Sequence, residues 1–171
     1  MTASVITNIL RWFLLVGVQV LVLNNIYLGG IFNPYLYVLI ILSLPIEMSG
    51  LLVLLIGFFT GFTIDVLSHT MGLHTMSLTL LAYLRPMVLS LIEPRDGFEF
   101  GSKASIGDFG WSKYLVYATL LVFIHHLVLF LLEGFSTGMM WLAVQKTVLN
   151  TMVTIALVVL IQSFTSVKRK V

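Results

Sequence analysis

The chain contains no cysteine. Disulfides, iron–sulfur clusters, thiolate zinc sites, nucleophilic thiols and S-acylation are thereby excluded. Charge is almost as scarce: Lys, Arg, Asp and Glu make up 9% of the 171 residues, against about 25% in an ordinary soluble domain. Too few polar side chains remain to cover a water-facing surface. The net charge of +2 is too weak for a nucleic-acid surface, and no dense basic face is interleaved with aromatics. There is no internal repeat and no low-complexity tract, so a single polytopic domain over 1–171 is expected.

What is present is apolar: 59% of the residues are hydrophobic, and a bilayer must supply much of the solvent. The expected class is an all-α membrane protein with six transmembrane helices, at about 12–29, 31–45, 50–67, 71–92, 114–133 and 142–164. A full crossing needs roughly 17–25 residues. The second helix falls short, with a dense apolar run only over 35–44, so it is expected to tilt or re-enter. Arg11 and the apolar run after it look like a signal peptide, but Asn24 and Asn25 follow without a small-residue cleavage site. The first helix is therefore read as uncleaved.

Charge placement sets the orientation. Six helices from a cytoplasmic N-terminus put Arg11, Arg95, Lys103, Lys113, Lys168, Arg169 and Lys170 inside, with Lys146 outside, as the positive-inside rule requires. Without the second helix, Arg11 and the basic C-terminal cluster would fall on opposite sides. Both termini are thus expected in the cytoplasm. The charged, Gly-rich segment 93–113 reads as a mobile cytoplasmic loop.

The chemistry-bearing residues concentrate in the third and fourth helices. Gly57, Gly61 and Asp65 recur every four residues and share a helix face. The glycine pair forms GxxxG, which permits close helix approach. A carboxylate in a membrane span is a functional candidate by default. Two readings follow, a packing seam with a carboxylate at the interface, or a direct contact with a partner. Gly72 lies in the turn beyond Asp65. His74 can approach Asp65 across that turn and staple the hairpin. Arg85, before Pro86, is expected to snorkel toward the inner headgroups.

Three other patterns carry less. His125 and His126 are adjacent, so their side chains diverge by about 100° on a helix. No HExxH-like spacing accompanies them, so neither a metal nor any other cofactor is expected. Hydrogen bonding to the polar stripe Thr147, Asn150, Thr151 and Thr154 suits them better. Residues 134–138 match G-x-S-x-G, but that motif needs a strand–turn–helix. Between two membrane helices it reads as an ordinary loop.

Residues 57–83, GFFTGFTIDVLSHTMGLHTMSLTLLAY, resemble the signature of the MreD family, the bacterial rod shape-determining membrane proteins. Gly57, Gly61, Asp65, Ser68, Gly72, Leu73, Ala82 and Tyr83 carry the resemblance, with Gln19, Pro34, Pro45 and the basic end Lys168, Arg169 and Lys170. The longer 93–113 loop and the His125–His126 pair depart from the pattern. The resemblance implies a non-enzymatic scaffold in the inner membrane. Such a scaffold works with MreC, MreB, RodA and a class B penicillin-binding protein in lateral peptidoglycan synthesis. It would act by packing the Gly57–Gly61–Asp65 face against a partner's span. The family also resembles, in fold, the substrate-binding component of energy-coupling-factor vitamin transporters. The alternative function is accordingly a small-molecule binder using Asp65, His74, His125 and Asn150.

Overall fold

A computed structural model of the protein describes residues 2–26 and 32–165. The expected end of the first helix at 27–29, the start of the second at 31, and the basic cluster Lys168, Arg169 and Lys170 lie outside these residues. The described residues form α1 (Thr2–Leu21), a 3-10 turn (Leu23–Asn25), α2 (Val38–Leu42), α3 (Gly50–Ser68), α4 (Leu73–Ile92), α5 (Ile106–Thr137) and α6 (Met140–Thr165). They contain no β-strand; an isolated antiparallel bridge joins Pro45 to Lys103. Five of the helices are long and apolar enough to cross a membrane. Their outward faces carry Leu, Phe, Val and Met instead of charge, so the chain is a multi-pass membrane protein.

The second expected helix, 31–45, is corrected by the structure. Only the five residues of α2 form a helix; residues 33–35 are irregular and 36–37 form a turn that leads into it. Yet residues 34–42 are buried without a break. Contacts on either side show where this segment runs. The Trp12 indole donates to Thr60 Oγ1 at 2.8 Å and the Asn24 amide to Ser68 Oγ at 2.8 Å, so α1 and α3 run parallel. The chain between them must return along the bundle. Asn33 and Tyr35 meet Asn150 and Thr154, whereas Ser43 meets Gln162. The return therefore runs parallel to α6, through the middle of the protein.

Hydropathy cannot distinguish a buried helix from a buried irregular strand of this length. Non-helical backbone is tolerated at membrane depth when protein encloses it and satisfies its polar groups.

Two other boundaries differ from expectation. α1 begins at Thr2, ten residues before the expected start at 12, with Arg11 half-buried within it. α5 begins at Ile106, inside the expected loop, where the Ser105 hydroxyl accepts from the Asp108 N–H, a standard N-cap. The helix kinks at Gly110, whose φ of 74° is left-handed. The segment before it is packed rather than free. Ala104 and Phe109 are buried, Phe98 stacks on Phe109 at 5.2 Å, and the Gly101 N–H donates to Glu47 Oε1 at 2.8 Å.

Candidate functional site

Several buried polar side chains converge on the central segment, and they do so through its backbone. From α1, the Gln19 amide donates to the Pro34 carbonyl at 3.1 Å, and its oxygen accepts from the Leu36 N–H at 2.8 Å. From α6, Asn150 accepts from the Asn33 N–H and Thr154 from the Tyr35 N–H. From α5, the Tyr117 hydroxyl donates to the Leu42 carbonyl at 3.0 Å. From α4, Arg85 Nη2 donates to the carbonyls of Leu44 and Pro45, while its Nε donates to the Tyr117 hydroxyl at 3.0 Å. Four helices thus supply the partners that an intact helix would have supplied to itself.

Arg85 does not snorkel. It is 1% exposed, and its planar fork spans carbonyls and a hydroxyl that a lysine ammonium could not reach together. Those carbonyls lie at the C-terminal end of α2, where a cation is favoured.

Tyr37 is the second centre. Its side chain is fully buried, and its hydroxyl lies 2.7 Å from His74 Nδ1 and 2.9 Å from His125 Nε2. One hydroxyl proton serves only one of these nitrogens, so the other ring must donate when both are neutral. His126 Nε2 is buried without a hydrogen-bond partner. His126 turns the other way and meets Thr151 Oγ1 at 3.0 Å, one residue of the α6 stripe. Tyr37→Phe removes the shared group and leaves both rings short of a partner. The expected loss is about 1–3 kcal/mol of stability. Thermal unfolding in detergent measures it, and an unchanged midpoint would mean that the hydroxyl contributes nothing.

Asp65 caps α4. Its Oδ1 accepts from the His74 N–H at 3.1 Å and the Thr70 hydroxyl at 2.6 Å; Oδ2 accepts from the Thr75 N–H at 2.8 Å and from the Thr75 hydroxyl. These backbone donors belong to the first turn of α4, which has no capping side chain of its own because Gly72 is its N-cap. Gly72 is left-handed at φ 85°, the conformation glycine adopts at least cost. His74 meets Asp65 through its backbone, not its ring.

Gly57 and Gly61 face α4 of the same chain. A Cβ on Gly57 would lie 2.8 Å from Ala82 Cβ, and one on Gly61 2.5 Å from Thr75 Cα. The face expected to receive a partner's span is therefore occupied by α4. Spacing alone identified the seam but could not say which helix fills it.

Ser136 of the G-x-S-x-G match sits on the last turn of α5, exposed, its hydroxyl donating to the Glu133 carbonyl at 2.8 Å. Glu133 pairs with Lys146 of α6 at 2.8 Å. Among the described residues no group of His, Asp and Glu has a metal-binding arrangement. Comparisons with protein-family models, curated proteins and solved structures returned no match.

Sequence reasoning found Asp65, His74, Arg85 and the α6 stripe as polar residues in apolar spans. It missed Tyr37 and Tyr117, which look like ordinary membrane aromatics. The available signal was the pair Pro34 and Pro45, which bracket a run too short to span as a helix.

Proposed function

We propose that this chain is a non-enzymatic membrane scaffold of the bacterial cell-elongation machinery, of the MreD kind. It would act with MreC, MreB, RodA and a class B penicillin-binding protein in lateral peptidoglycan synthesis. One observation carries the reading: the interior is filled by the protein's own backbone, and its buried polar groups are largely engaged in holding it. Asp65 is taken up by α4, His74 and His125 by Tyr37, and Asn150 by Asn33. A vitamin-like substrate would need convergent polar groups facing an unfilled pocket, and these four do not provide one. Those four residues therefore give the transporter-component alternative no support.

The parallel course of α1 and α3, with the return between them, supports six passes and both termini on one side. The basic residues gathered near those ends support a cytoplasmic location for them. With the glycine seam internal, a partner's span meets a different face of the bundle.

Deleting the gene in its rod-shaped host tests the proposal. Cells should widen and round, and fluorescent D-amino acid should no longer enter the sidewall, with both restored by the intact gene. Deletion cells that keep rod shape and sidewall labelling would overturn it.

A further inference from the structure

A cavity of about 710 Å³ opens at the end of the bundle that holds Pro45 and the loop before α5, within the range of roughly 300–1,000 Å³ usual for ligand sites. It lies between α1 and α6. α1 packs on α3 and the central segment, and α6 packs on α5, so the gap between the two faces the bilayer. Its walls are of two kinds. Leu10, Leu14 and Ile161 supply apolar lining, and Arg11 and Lys103 supply positive charge. No ion pair engages either cation among the described residues. Asp108 also lines the cavity, one of its carboxylate oxygens accepting the Lys103 backbone N–H at 2.7 Å; with two cations against this one carboxylate, the lining keeps a net positive charge.

We propose that this cavity binds one anionic phospholipid of the adjacent leaflet, its phosphate between Arg11 and Lys103 and an acyl chain along Leu10, Leu14 and Ile161. Basic pockets between membrane helices at the headgroup level select anionic lipid by this chemistry. A free phosphate would use the cations and leave the apolar wall empty. The chain's own continuation beyond Thr165 carries Lys168, Arg169 and Lys170, and like charge argues against it as the occupant. The assignment holds for either membrane orientation and is independent of the scaffold reading.

Native mass spectrometry of the detergent-purified full chain provides the test, with dioleoylphosphatidylglycerol, dioleoylphosphatidylcholine and inorganic phosphate as probes. Phosphatidylglycerol should bind more tightly than phosphatidylcholine by about fivefold per cation engaged. Arg11→Gln combined with Lys103→Gln should erase that preference and leave phosphatidylcholine binding unchanged. Should the double variant not fold, Lys103→Gln alone, at an exposed position, should lose about fivefold. Equal affinity for the two lipids, unchanged preference in a folded variant, or displacement of phosphatidylglycerol by phosphate would each overturn the proposal.

Discussion

Replacing Arg85 with methionine is expected to destabilise the protein by about 2–4 kcal/mol. Methionine fills much of the same volume, so the loss is polar in origin. The guanidinium holds the Leu44 and Pro45 carbonyls and the Tyr117 hydroxyl. Without it, the Leu44 carbonyl loses that donor, at about 1–3 kcal/mol, while the Pro45 carbonyl keeps the Met48 N–H. Part of this is offset because the cost of burying a cation also disappears. Tyr117 keeps its own bond to the Leu42 carbonyl, which limits the damage to one end of the segment. Arg85→Lys should fall between the two, since it restores charge but not the fork. The readout is the fraction of monodisperse protein remaining after heating in detergent. Methionine equal to wild type would mean that the carbonyls find other donors.

Gly61→Ala should cost about 2–4 kcal/mol, from overpacking and a weakened helix cap together. The new methyl group would meet Thr75 Cα at 2.5 Å, the His74 carbonyl oxygen at 2.6 Å and Thr75 N at 2.8 Å. All three are backbone atoms, so no rotamer change relieves the clash and α4 must move away from α3. That movement also draws the first turn of α4 off the Asp65 carboxylate, one helical turn further along. Gly57→Ala offers an internal contrast. Its methyl would strike Ala82 Cβ at 2.8 Å, and Ala82→Gly should recover much of the loss by moving the methyl across the seam. No side-chain deletion on α4 should rescue Gly61→Ala. Gly17→Ala, with open space around it, serves as the neutral control. Equal rescue at both glycines, or none at either, would contradict this account of the seam.

These two residues show how far the sequence could be read. The long spans were legible because the bilayer imposes length and hydropathy on a helix that crosses it. The glycine seam was legible because four-residue spacing fixes a face. The partners were not. Asp65 bonds mainly to the backbone and hydroxyls of the neighbouring helix start, and Arg85 to carbonyls of a distant segment. Backbone groups carry no residue identity, so no pattern of side chains announces them. Segment 33–45 was misjudged for the same reason. Its apolar run suits a helix, and only the donors and acceptors of α1, α4, α5 and α6 make another path affordable. Arg11, expected at a membrane end, lines a cavity at one end of the bundle. The cavity itself depends on α1 and α6 standing apart, which neither helix encodes alone.

The threaded course of residues 33–45 has a consequence for biosynthesis. A ribosome makes this segment when only one of its partners, Gln19, has been made. Arg85, Tyr117, Asn150, Thr154 and Gln162 emerge afterwards, the last of them 119 residues after its partner Ser43. Until then much of the extended backbone has no partner in the chain, and lipid offers none. The order in which the helices enter the membrane is therefore not the order in which the protein becomes stable. Its centre is completed only when α6 closes over a segment synthesised more than a hundred residues earlier.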